Sequence, residues 1–120
     1  KKRLIFTNGT LGHAHMCINK IKLNYCFHNI VARDSINDLK PANSSYQKFM
    51  KVNNISSQDK YVFIDDMPEN LIVAKNHGWI TVLISPQKTY HENIDFHFSN
   101  IHLALNYFLS KIENKWNKQI

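Results

Sequence analysis

Cysteine, arginine and long apolar runs are all scarce in this chain. Its two cysteines, Cys17 and Cys26, stand nine positions apart. They form no C-x-x-C pair and no metal-ligand spacing, so reduced thiols in a cytoplasmic protein are expected. No apolar run approaches the length of a membrane span, and no membrane partner is expected. Basic residues outnumber acidic ones by 15 to 9, for a net charge of +6. A basic balance suits either nucleic acid or a small anionic ligand. Here the lysines are scattered and only Arg3 and Arg33 are arginines, which argues against a nucleic-acid surface. Repeats, low-complexity segments and linkers rich in Pro, Gly or Ser are also missing. A chain of 120 residues of which 43% are hydrophobic therefore reads as one globular domain with a modest core.

What is present alternates between strand-like and helix-like patterns. Leu4 to Thr7 reads as a short buried strand, and Leu11 to Leu23 carries Ala14, Cys17, Ile18 and Ile21 at helical spacing. A weaker strand is expected near Asn29 to Ala32. Ser44 or Ser45 is placed to cap a helix over Tyr46 to Val52, with Tyr46, Phe49 and Met50 on one face. Tyr61 to Ile64 is a second clear strand. Glu69 to Asn76 follows as a helix with Pro68 near its first turn and Gly78 just past its end. Trp79 to Ile84 is a third strand. Gln87 to Phe98 reads as a loop with room for a short strand. From Ile101 to Trp116, a stripe of Ile101, Leu105, Phe108, Leu109, Ile112 and Trp116 predicts an amphipathic helix lying on the sheet.

Strands that are apolar at consecutive positions, alternating with helices, predict an α/β fold: a Rossmann-like parallel sheet with helices on both faces. In such folds chemistry gathers beyond the carboxyl ends of the strands. Two sharp features sit at such ends. After the strand Tyr61 to Ile64 come two adjacent carboxylates, Asp65 and Asp66. Like charges this close raise one another's pKa, a cost that a divalent cation removes. Hard oxygen ligands suit Mg²⁺, which keeps several waters and takes one or two carboxylates plus a phosphate oxygen. Equally, the pair reads as a capping Asp with a solvated neighbour at a helix start. After the first strand, Thr7-Asn8-Gly9 offers a hydroxyl and backbone N–H groups to an anion, or simply a turn. Lys40, alone in a loop before Pro41, reads as a solvated lysine unless an anion site elsewhere calls for a cation.

Taken in order, strand-Thr, loop Lys-Pro, strand-Asp-Asp, helix and Gly resemble the haloacid dehalogenase superfamily of phosphohydrolases. The stretch "LIFTNG" matches its Thr motif with Thr7, "LKP" its Lys motif with Lys40, and "VFIDDMPENLIVAKNHGW" its acidic motif with Asp65 and Asp66. The stretch "FTNGTLGHAHMCINKIKL", with His13-Ala14 after the Thr motif, is similar to the pyrimidine 5′-nucleotidase-like branch. The family's first motif, D-x-D, which carries the nucleophilic Asp and the general acid/base, occurs nowhere in the 120 residues. The resemblance therefore implies the carboxy-terminal portion of one core domain, with the first strand and the cap absent. Alone it is expected to be inactive and prone to self-association, because buried strand edges lack partners.

For the intact protein the resemblance implies a Mg²⁺-dependent phosphomonoester hydrolase acting through an aspartyl-phosphate. Its substrate would be a phosphorylated small molecule such as a nucleoside 5′-monophosphate. Thr7 would bind a phosphate oxygen with the N–H groups of Asn8 and Gly9, and Lys40 would neutralise phosphate and nucleophile. Asp65 and Asp66 would hold the metal. Asn70 would orient an aspartate or the lysine, or else lie in solvent. His13 is expected to be structural or near the cap boundary, and His77 to favour the carboxyl end of its helix. Three rivals stand beside this. A phosphorelay receiver uses similar groups, but in the order acidic pair, Thr, Lys. A domain that keeps the fold without catalysis would bind a partner or nucleic acid, and fits the absent nucleophile. Carbon–halogen cleavage keeps the family, but the twin aspartates favour a metal and therefore phosphate.

Overall fold

The computed structural model describes residues 2–87 and 91–117. The chain forms two compact units, residues 1–59 and 60–120.

In the first unit, β1 (Leu4–Phe6) and β2 (Asn29–Val31) run parallel, with Leu4 opposite Asn29 and Phe6 opposite Val31. Parallel neighbours require a crossover, supplied here by helix α1 (Leu11–Lys20). Thr10 caps that helix, its Oγ1 accepting from the His13 N–H at 3.2 Å. The helix closes in a Schellman turn. Lys22 sits in the left-handed region at φ 60°, and the N–H groups of Leu23 and Lys22 bond back to the carbonyls of Ile18 and Asn19. This closure changes the expected apolar face. Ala14 and Ile18 are buried, but the helix stops at Lys20, so Ile21 leaves the stripe and lies 62% exposed. Cys17 is exposed beside His13.

A four-residue helix, α2 (Arg33–Ile36), follows β2 and ends at Asn37, φ 52°. Nothing so short carries a period that the sequence could reveal. Helix α3 spans Asn43–Val52, starting earlier than expected, and neither serine caps it. The Ser44 hydroxyl donates to Asp38 Oδ2 at 2.6 Å, and that of Ser45 donates to the Ala42 carbonyl at 2.7 Å. Both serines lie inside the helix, as its second and third residues, and the cap position falls to Ala42. Tyr46 and Phe49 are buried as the spacing predicts, and they meet the Phe6 ring at 5.4 and 4.5 Å. Such ring pairs contribute about 0.5–1.5 kcal/mol each beyond their buried area.

The second unit is a three-stranded parallel sheet in the order β3 (Val62–Asp65), β4 (Ile80–Ile84), β5 (Phe96–Phe98). Asp65 pairs with Leu83, and Val82 with Phe96. Thr81, Val82 and Leu83 are all buried. Successive strand residues point to opposite faces, so both faces of β4 are covered, which the unbroken apolar run predicted. Helix α4 (Pro68–Asn76) packs on β3 and β4, and helix α5 (Ile101–Asn117) on β4 and β5. Gly78 turns the chain out of α4 at φ 80°, a left-handed geometry that suits glycine.

The stripe expected on α5 is kept at Phe108, which packs on β5, and lost around it. Ile101, Leu105 and Leu109 are 40–51% exposed, whereas Ala104 is buried. Phe96 lies 5.3 Å from both Tyr107 and Phe108, and Phe98 lies 5.6 Å from Tyr107. This aromatic contact with β5 sets the helix rotation. The side chains of Ile112 and Trp116 lie outside the described residues, as do Lys88 to Tyr90 of the expected loop. Among the described residues no helix is long and apolar enough to cross a membrane.

Candidate active site

Within the first unit, the candidate groups collect where β1 ends. The Thr7 N–H still belongs to the ladder, bonding to the Val31 carbonyl at 3.0 Å. Beyond it the chain turns at once, with the Gly9 N–H donating to Thr7 Oγ1 at 3.0 Å. Accepting that bond occupies one lone pair and leaves the hydroxyl proton to donate to an anion. The turn is pinned on its far side, because the Gly9 carbonyl accepts from the Arg33 N–H at 3.0 Å.

Lys40 reaches the same strand end from 34 positions away. Its Nζ donates to the Phe6 carbonyl at 2.7 Å and stands 4.9 Å from the centre of the Phe6 ring. The side chain is half-buried, so the solvated-lysine reading does not hold. Its backbone is held as well. Asn8 Oδ1 accepts from the Lys40 N–H at 2.8 Å, and Asn8 Nδ2 donates to the Lys40 carbonyl at 3.0 Å. The Lys40–Pro41 peptide bond is cis. Sequence reasoning missed Phe6 as the seat of the ammonium. The signal available was an aromatic residue at the last strand position before Thr7.

In the second unit, the acidic pair lies where β3 gives way to α4. Asp65 is half-buried and both of its oxygens have partners: Oδ1 accepts from the Met67 N–H at 2.8 Å, and Oδ2 from Asn70 Nδ2 at 3.2 Å. Asn70 is 5% exposed, so it is a buried side chain and not a solvated one. Its place on the first turn of α4 follows from Pro68, whose fixed φ begins the helix there. Asp66 is exposed. His77 takes the carboxyl cap of α4, its ring 5.5 Å from that of Trp79.

Asp65 is thus both a turn-capping carboxylate and a candidate ligand. Each carboxylate oxygen has two lone pairs, so a cation can share the oxygens that Met67 and Asn70 already hold. Among the described residues no three His, Cys, Asp or Glu side chains gather. The donor set here is therefore two adjacent carboxylates. That is too sparse for a caged Ca²⁺ or a structural Zn²⁺. It fits Mg²⁺, which draws its remaining ligands from water and phosphate.

The chain is similar to known proteins. Residues 2–84 match the family of haloacid dehalogenase-like hydrolases. Among solved structures, a dehalogenase with an intermediate complex superposes with a TM-score of 0.73 at 18% identity, covering 87% of this chain and 47% of that one. A HAD phosphatase from Thermococcus onnurineus gives 0.71 at 18% identity, covering 89% and 50%. A haloacid dehalogenase-like family hydrolase from Streptococcus pneumoniae gives 0.62 at 13%, covering 89% and 52%. At such identities the structures speak to the fold, and the chain spans about half the length of each. With Thr7 and Asp65 at the ends of parallel strands, Lys40 reaching the first of those ends from its loop, and the match running through all three motifs, the chain belongs to the haloacid dehalogenase-like hydrolases.

Proposed function

We propose that this chain is the carboxy-terminal portion of a cytoplasmic, Mg²⁺-dependent phosphomonoester hydrolase that works through an aspartyl-phosphate. The observation that carries the reading is the seating of Lys40. A cation drawn from a distant loop is fixed at 2.7 Å from the carbonyl that precedes Thr7, at the end of a parallel strand. A fixed ammonium beside a hydroxyl able to donate is the equipment for a phosphate dianion.

Thr7 donates to a phosphate oxygen, aided by the N–H groups of Asn8 and Gly9. Lys40 offsets charge on the phosphate and on the attacking carboxylate. Asp65 and Asp66 hold the metal, with Asn70 fixing the Asp65 carboxylate. When bound, Mg²⁺ supplies charge neutralisation between nucleophile and phosphate. The nucleophile and the general acid/base come from a D-x-D segment outside these residues, since no such triplet occurs in the 120. Phosphoryl transfer asks mainly for positioning and charge stabilisation, which is what these side chains provide. The resemblance of "FTNGTLGHAHMCINKIKL" to the pyrimidine 5′-nucleotidase-like branch supports a nucleoside 5′-monophosphate as substrate, pyrimidine ones first.

The test is a panel of phosphomonoesters, pyrimidine nucleotides included, offered to the protein with its D-x-D segment present. Turnover that needs Mg²⁺ and stops on chelation is expected. A second reading, a domain that keeps the fold and binds a partner without catalysis, rests on the absent D-x-D. Total inactivity across that panel would favour it.

A further inference from the structure

Asn8 does more at this strand end than follow Thr7. Its carboxamide pairs with Lys40 in both directions, accepting from the N–H at 2.8 Å and donating to the carbonyl at 3.0 Å. That is the pattern by which a neighbouring strand would satisfy a peptide, here made by one side chain across 32 positions. Lys40 is held twice by the same stretch of chain, its backbone by Asn8 and its ammonium by Phe6. We infer that the Asn8 side chain is a positioning residue: its carboxamide clamps the Lys40 peptide and so aims the Lys40 ammonium at the anion bound by Thr7.

The chemistry selects asparagine. Only a carboxamide of this length offers one acceptor and one donor in a plane to a single residue's N–H and C=O. Aspartate has the same shape, but it lacks the donor and would set a negative oxygen against the Lys40 carbonyl. Leucine fills the space and makes neither bond. Without the clamp, residues around Lys40 have one fewer tie to β1, and the ammonium samples more positions. Displacements of this size matter for a group that acts by placement, where about 1 Å can cost 10²-fold in rate. The inference deepens the phosphohydrolase reading and rests on it for the identity of the anion. The clamp itself rests on geometry alone.

Two measurements on the protein with its D-x-D segment separate these layers. The first is a double-mutant cycle on kcat with p-nitrophenyl phosphate. Asn8→Ala should lower kcat by about 10- to 100-fold when Lys40 is present, and by less than about twofold in a Lys40→Ala background, since residues acting as one unit are not additive. Equal factors in both backgrounds would overturn the inference. The second is reductive methylation with formaldehyde and borane, read at Lys40 by mass spectrometry and independent of turnover. Methylation should be several-fold faster in Asn8→Ala than in the parent, with the other lysines unchanged, and an unchanged rate at Lys40 would overturn the inference. If Asn8→Ala does not fold, Asn8→Asp, which keeps one bond and the shape, should methylate at an intermediate rate. Asn8→Asp indistinguishable from the parent would again refute the clamp. Should no phosphomonoester be turned over, the functional reading fails while methylation still decides whether Asn8 holds Lys40.

Discussion

Single side chains carry more than one duty here, and that decides what substitutions should do. Asp66 is exposed, unlike Asp65, so Asp66→Asn should leave folding intact while removing most Mg²⁺-dependent turnover. Loss of the charge can be checked by activity against metal concentration alongside a thermal melt. Asn70→Ala removes the partner of Asp65 Oδ2 and should weaken Mg²⁺ by about 10- to 100-fold, as losses of a ligand's supporting partner do. A titration of activity with Mg²⁺ would read this as a shifted midpoint. Asp95 is a structural counterpart. Partial burial pushes its carboxyl up, but the Lys75 ammonium at 2.6 Å and the Thr81 N–H and hydroxyl outweigh that and hold it below the usual range. Asp38 is lowered likewise, first by the Ser44 hydroxyl and then by the Leu39 N–H and Lys48. A carboxyl lowered in the folded state stabilises it above the unfolded pKa, about 4. That stabilisation is lost as pH falls through the folded value. Melting temperatures from pH 7 to pH 2 should therefore drop further for the parent than for Asp95→Asn, and parallel curves would rule the linkage out.

Elements in this chain are set as much by their ends as by their periods. Helix α1 closes on Lys22 at φ 60°, a conformation that costs an L-residue about 1–2 kcal/mol and glycine nothing. Part of that gain is offset by the freedom glycine adds to the unfolded chain. Lys22→Gly should therefore raise stability by up to about 1 kcal/mol, seen as a later denaturant midpoint at unchanged slope. Gly78→Ala tests the reverse at φ 80°, where no neighbouring atom stands within 4 Å of an added Cβ. The cost there is conformational alone, about 1–2 kcal/mol. Periodicity found the long elements and the buried Tyr46 and Phe49 of α3, but it did not fix the whole face that α5 buries. Ala104, Tyr107 and Phe108 are turned inward on α5 because Phe96 and Phe98 of β5 offer rings to meet them. No count along the helix could have disclosed that contact. Ser44 and Ser45 show the same limit, since a residue able to cap a helix does so only where the helix begins at it, and α3 begins earlier, at Asn43.

For the whole molecule, the strongest expectation concerns what must be supplied to it. Residues 1–120 alone should show no phosphatase turnover, and the same residues joined to a segment carrying Asp-x-Asp after an apolar strand should show it. Activity in the isolated 120 residues would remove the nucleophile assignment. Sequence by itself determined the α/β class, the parallel strands, the family and the candidate residues. These rest on local properties: apolar runs, Gly and Pro at element ends, and motif residues in a fixed order. The structure alone decided where α1 stops, most of the face of α5, the start of α3, the existence of α2, and the seat of Lys40 over Phe6. The end of α1 is a local backbone turn with no glycine to mark it, whereas the seat of Lys40 and the rotation of α5 depend on rings and carbonyls supplied by other elements. Asn8 shows the division most clearly. Its neighbours in sequence mark a turn after a strand, whereas its partner, the Lys40 peptide, is 32 positions away and is reached only once β1 and the loop before α3 are folded together.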